Sequence, residues 1–247
     1  MESFGIRFTV GRKIILDVIL IIEDWLLMAA VDYNTDSWKK RDNYVAHLLI
    51  PIVTLSKIIH WSLRCLPDEI LVGIDPDFTI KNPKIVDEKF KPFKTDLFAG
   101  QGFLLGEPHL VNRGDSSSVN QIPEDWTDNF FHSERGIRGS RFCHYIHSHP
   151  NSAALPSQGD KEASQWTEGC EMILGLNFSP KILKNWEYED SYIRRKLDYE
   201  NNQLQKNSLS SGSHIIHGME IIAYHRSGLG INLLITDEFG NPIGLFE

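Results

Sequence analysis

Apolar residues in this chain fall into short blocks separated by polar, Gly-rich and Pro-rich punctuation, not into one regular repeat. The first block runs from Ile14 to Val31, and the polar stretch Asn34 to Asn43 that follows reads as a linker or exposed loop. Asp17, Glu23 and Asp24 interrupt the block, and each would cost kilocalories in hydrocarbon. With no small-residue cleavage site after a short apolar core, the pattern predicts a buried helix or strand pair, not a membrane span or leader. Val45 to Ile50 predicts a strand, and Pro51 stands where a helix can begin without losing a useful donor. Leu55, Ile58, Ile59, Ser62, Leu63 and Leu66 then recur at three- and four-residue spacing, the signature of one helical face, and Pro67 ends it. Ile70 to Ile74 is a short apolar run that reads as a buried strand.

Further along, Thr79 to Val86 and Phe103 to Leu105 have strand character, whereas Glu107 to Ser140 is rich in Asn, Ser, Asp and Gly and reads as a long loop or insertion. Arg141 to His147 returns to strand. Ser157 and Asp160 open a helix through Glu168 that Gly169 closes. Glu171 to Leu176 is a strand, and Ile182, Leu183, Trp186, Ile193 and Leu197 form an apolar stripe on an otherwise solvated helix that Ser208 to Ser213 breaks. Glu220 to His225 and Ile231 to Thr236 are strands, with a last strand after Gly240-Asn-Pro. Mixed helices and strands without a βαβ rhythm predict an α+β fold with a mixed β-sheet flanked by helices. Residues 1–43 read as an amino-terminal extension and 44–247 as the main domain, with insertions near 107–140 and 181–213.

Composition narrows the function. A chain of 247 residues with 41% hydrophobic and 23% charged residues can bury one sizeable core. The formal charge of -8, without a long basic run, argues against a nucleic-acid partner, because that binding rests on clustered cations. Cys65, Cys143 and Cys170 are odd in number and lack CxxC spacing, so free thiols in a reducing, cytoplasmic setting are expected.

The most informative stretch is His147-Ser-His-Pro-Asn-Ser-Ala-Ala-Leu-Pro-Ser-Gln-Gly-Asp160. Two histidines two apart in a strand share a face and can present both imidazoles to one metal ion, and Pro150 discourages further strand. Asp160 is the candidate third ligand. Three His and Asp ligands leave a fourth tetrahedral position for water, the mark of a catalytic zinc site. Hydrolysis also needs a general base, for which Glu69, at a helix-to-strand junction, is the first choice. Ser157 with Asp160 also resembles a helix-capping box, a reading that outweighs the metal site only when the histidines are ignored. His144 alternates to the face opposite His147 and reads as structural. His214 and His217 read as loop residues in preference to a second metal site.

With its spacing, this stretch resembles the JAMM, or MPN+, family of zinc metallopeptidases, whose pattern is an upstream glutamate followed by H-x-H-x7-S-x2-D. His147, His149, Ser157 and Asp160 fit that pattern without a gap, and Leu66-Pro67-Asp68-Glu69 with the apolar strand after it is similar to the family's glutamate-bearing segment. The resemblance implies the MPN fold, a cytidine-deaminase-like three-layer arrangement. It also implies one catalytic Zn²⁺ on His147, His149 and Asp160, Glu69 holding the water, and Ser157 stabilising the oxyanion. Glu107, next to the glycine-bounded Gly102 to Gly106, is the alternative base. The implied activity is removal of ubiquitin or a ubiquitin-like modifier from conjugates. The alternatives are a peptidase of small peptide or amino-acid conjugates and a non-catalytic MPN scaffold. Family members often work in larger assemblies, for which the amino-terminal extension and residues 181–206 are the expected docking segments.

Overall fold

The computed structural model describes residues 22–44, 46–77, 79, 104–119, 142–180, 209–211 and 214–245. They form an α+β fold. The helices are α1 (Asp24–Lys40), α2 (Ile52–Cys65) and the short α3 (Gln158–Ala163). The strands are β1 (His47–Pro51), β2 (Ile70–Pro76), β3 (Leu105–Arg113), β4 (His144–Pro150), β5 (Cys170–Pro180), β6 (Leu209–Ser211), β7 (His214–His225) and β8 (Gly230–Thr236).

The strands make one mixed sheet in the order β1-β8-β7-β5-β4-β2-β3, with β6 pairing on β7. β1 runs parallel to β8 and β4 to β5, and the remaining neighbours are antiparallel. A bridge between Leu49 and Leu104 brings the two ends of this order together, so the sheet curls.

Side chains alternate across a strand, and here the alternation separates two kinds of chemistry. Ile70, Val72 and Ile74 of β2, Ile146 of β4, Met172, Leu174 and Leu176 of β5, and Ile221 and Ala223 of β7 all belong to the apolar core. The helical spacing read from residues 55–66 does its work against them: Ile52, Leu55, Ile58 and Ile59 of α2 are buried in the same core. Each such Leu or Ile gains roughly 1.5–3 kcal/mol from leaving water.

Several expectations change. Asn34 to Asn43 is not a linker: α1 continues to Lys40 and a 3-10 turn covers Arg41–Asn43. Asn34 is buried because its amide spans α1 and the last strand, donating to the carbonyls of Ile235 at 2.6 Å and Ile243 at 2.9 Å and accepting from Ile235 N at 2.7 Å. A buried polar residue satisfied three times is a specific latch, invisible to a composition reading. Glu107 to Arg113 is not loop but β3, whose polar residues lie at exposed or half-buried positions of a strand pairing β2. Ser208 to Ser213 contains the short β6, and after Gly240 the chain makes only a bridge from Pro242 to Thr236 among the described residues. β5 and β7 are longer than their apolar runs suggest, because each pairs the other along its length. The strand expected at Thr79 to Val86 and the helix expected across 182–197 fall outside the described residues, apart from Thr79 in a bend. Among the described residues no helix is long and apolar enough to cross a membrane.

Candidate metal centre

β4 carries both histidines. In register, Leu71 of β2 pairs His147, so Glu69, two residues before Leu71, projects from the same face next to His149. Ser148, between the histidines, points the other way into the core, where its hydroxyl accepts Ile70 N at 3.1 Å and fixes the start of β2 just past Glu69. His144 also belongs to that inner face. It is fully buried, its Nδ1 accepts Cys170 N at 3.0 Å, and burial lowers its pKa to about 4. The structural reading of His144 therefore holds.

Beyond Pro150 the chain reverses. Asn151 adopts φ +53°, a left-handed conformation asparagine tolerates, and its N donates to the Leu176 carbonyl at 2.7 Å while its Oδ1 accepts Phe178 N at 2.8 Å. The reversed strip of chain lies directly on Gly175, where a Cβ would come within 2.7 Å of the Ser152 carbonyl oxygen. Only glycine leaves room for it. The strip then offers the Ala153 carbonyl to His149 Nδ1 at 3.0 Å, which sets the tautomer with a hydrogen on Nδ1 and leaves Nε2 as the free lone pair.

Ser157 caps α3 in a reciprocal box: its hydroxyl accepts Asp160 N at 3.2 Å and its own N donates to Asp160 Oδ2 at 2.6 Å. Capping and metal ligation are thus not alternatives. The box holds the Asp160 carboxylate in place, with Oδ1 3.2 Å from His147 Nε2 and Oδ2 3.8 Å from His149 Nε2. The two histidine Nε2 atoms are 3.1 Å apart. One ligand atom from each of the three residues lies within 4.8 Å of the others, the one such cluster found among the described residues. Atoms about 2.0–2.1 Å from a tetrahedral zinc ion lie roughly 3.3 Å from one another, so this donor set fits the ion.

Electrostatics divide the acids. Burial alone would raise Asp160, but hydrogen bonds from His147 and Ser157 and the charge of His147 outweigh it and hold the carboxyl well below the usual range. Glu69 lacks such donors. Burial pushes it up to about 7, with His147 pulling it down and Asp160 and Asp115 pushing it further up. Burial also lowers His149, favouring the neutral imidazole, the form able to bind a metal. Glu69 is held through its backbone, donating to the Asp115 carbonyl at 2.8 Å and accepting from Gly114 N at 2.9 Å. The serines after Asp115 then form a wall of one cavity of about 500 Å³, which is lined also by Glu69, His149, Leu155, Ser157 and Asp160.

The structure therefore brings Glu69, His147, His149, Ser157 and Asp160 together, and it separates Glu107 from them. Glu107 lies toward the end of β3 that pairs Pro76, far from the Arg113 end next to Glu69, and makes an exposed ion pair with Lys57. His217 bonds Ser179 at 2.8 Å and belongs to no metal cluster among the described residues. The three cysteines are free.

Two residues escaped the sequence reading. Glu171 pairs Tyr145 across β4 and β5 and so shares the face of His147. It is buried, takes a hydrogen bond from the Thr167 hydroxyl, and is raised to about 7 by burial despite that bond and the charge of His147. Tyr224, opposite Glu171 on β7, has its pKa raised by burial and by Glu171 and Asp160. The available signal was parity: both fall on the face of His147 once the strand pairing is known. No family model matches the chain, and no curated protein matches it.

Proposed function

We propose that the protein is a zinc-dependent peptidase or isopeptidase of the JAMM type. The observation that carries this reading is the convergence of three ligand atoms from His147, His149 and Asp160 beside a cavity lined by His149, Asp160 and a raised carboxyl, Glu69. Zinc in such a site supplies an acidified water and polarises a substrate carbonyl. The chain's own residues supply the rest. Glu69, with a pKa near neutrality, is suited to take a proton from the attacking water at its carboxylate and return it to the leaving amine. The Ser157 hydroxyl, beside the Asp160 carboxylate, is the group that would turn its hydrogen to the carbonyl oxygen as that oxygen gains charge. Asp160, held ionised, keeps its ligand role over the physiological pH range.

The substrate class follows from the resemblance of residues 147–160 to the family pattern: conjugates of ubiquitin or a ubiquitin-like modifier, processed in the cytoplasm. The expected docking segments are the amino-terminal extension, residues 1–43, and residues 181–206; of these, 1–21 and 181–206 lie outside the described residues, and α1 occupies most of the rest of the extension.

Purified protein should bind one zinc per chain by elemental analysis and cleave a panel of ubiquitin and ubiquitin-like conjugates. Glu69→Gln should keep the zinc and lose hydrolysis, whereas Asp160→Asn should lower zinc affinity by more than about 100-fold, beyond what loss of an outer-shell partner costs. A zinc-loaded protein inert toward every conjugate, yet active on short peptides, would replace the substrate class. Absence of zinc binding would leave a scaffold.

A further inference from the structure

We propose that a second cavity beside the metal centre is a subsite for a cationic side chain of the substrate, with Glu220 as its counter-charge. That its ligand belongs to a substrate rests on the hydrolase reading above; the cavity and its charge do not.

Three strands place it. His149 pairs Gly175, and Gly175 pairs Glu220, so the three residues form one row across β4, β5 and β7 on the face that carries the metal ligands. With strands about 4.8 Å apart, Glu220 stands roughly 10 Å from His149. Asn177 pairs Gly218 in the next row on the same face. Gly175, Asn177, Gly218 and Glu220 form the floor of a cavity of about 390 Å³, and Ser152 and Ala153 form its wall. Ser152 and Ala153 also line the metal cavity. The two cavities are thus the two sides of one strip of chain, and a ligand crossing that strip reaches both.

The chemistry of the second cavity selects its occupant. Glu220 Oε2 accepts Ala154 N at 3.2 Å, which steadies the carboxylate and leaves Oε1 for a ligand. Among the described residues no lysine or arginine forms an ion pair with Glu220. An anion would be repelled there, and an apolar group would strip water from the carboxylate without replacing its hydrogen bonds. A guanidinium or ammonium group compensates both terms, with Asn177 as a further polar partner. The floor is open as well: a Cβ built on Gly218 meets no heavy atom within 4 Å.

The test uses the isotopically labelled full chain, with and without zinc, titrated by NMR with N-acetyl-arginine amide and its neutral isostere N-acetyl-citrulline amide. Because Glu220 is exposed, the arginine compound should give saturable shifts at the Gly175 and Gly218 amides with affinity about two- to fivefold above the citrulline compound. Glu220→Gln should remove that preference. Gly218→Leu should block the cavity while zinc content and thermal midpoint stay unchanged. Equal binding of the two compounds, an arginine preference that survives Glu220→Gln, or no saturable shift would each overturn the proposal. Because the titration also runs without zinc, a failure of metal binding is read separately. Hydrolysis with no arginine preference would sink the subsite alone.

Discussion

Adjacent residues of β4 live in different solvents. Ile146 and Ser148 face a dry core shared with β2, β5, β7 and α2, while His147 and His149 face a polar surface that also carries Glu69, Glu171 and Glu220. The inner face maximises stability: its apolar side chains are buried, and the Ser148 hydroxyl and His144 Nδ1 accept backbone amides. The outer face gathers carboxyls and imidazoles whose burial raises Glu69 and Glu171 and lowers His149. A sheet can support both because side chains alternate with period two, so one register fixes a core and a site at once. The difference teaches that the site is held by the same strands that make the fold rigid, and that it is paid for on their other side.

Substitutions at neighbouring positions should break this contrast most visibly. Ile146→Ala should lower the stability of the metal-free protein by roughly 2–5 kcal/mol in urea unfolding and leave stoichiometric zinc binding intact in the folded fraction. His149→Ala, three residues on, should change that stability by less than about 1 kcal/mol while removing zinc binding. Similar stability losses in the two variants would erase the division between the faces.

The pH dependence sharpens it further. Glu171 titrates near 7 in the folded protein and near the ordinary carboxylate value in the unfolded chain. Between those values the folded state holds the extra proton, so stability is fully present below about pH 4.5 and falls as pH rises through 7. Metal-free Glu171→Gln should escape that decline, gaining on the order of 2 kcal/mol on the wild type between pH 4.5 and 7.5. Glu69, present in both proteins, drops out of the difference. Parallel pH profiles for the two would show that Glu171 is not a strained member of the site face.

Ser157→Ala should lower stability by about 1 kcal/mol, through loss of the hydroxyl half of the capping box. Its thermal shift should be accompanied by weaker zinc retention, because the box also orients Asp160. A thermal shift with unchanged zinc affinity would confine Ser157 to capping the helix.

Much of the architecture was legible because it depends on neighbours in sequence. The three- and four-residue spacing in α2, the apolar run of β2 and the His-Ser-His alternation of β4 are local patterns, and local geometry suffices to read them. The polar residues of α1 and β3 misled for the converse reason. Asn34 is paid for by carbonyls about 200 residues away, and the polar side chains of β3 ride a strand whose partner is β2. Likewise, Glu69 is preferred over Glu107 in the sequence on motif position alone, whereas the register of β2 on β3 puts the two at opposite ends of a strand pair.

By itself the sequence determined the candidate cluster: His147, His149 and Asp160, with Ser157 at a helix start, occupy one short stretch whose spacing local backbone geometry brings together. Tertiary structure alone decided which glutamate stands beside it and that Glu171 and Glu220 share its face. Those facts depend on strand pairing between distant segments, and pairing is set by the burial of the opposite, apolar face.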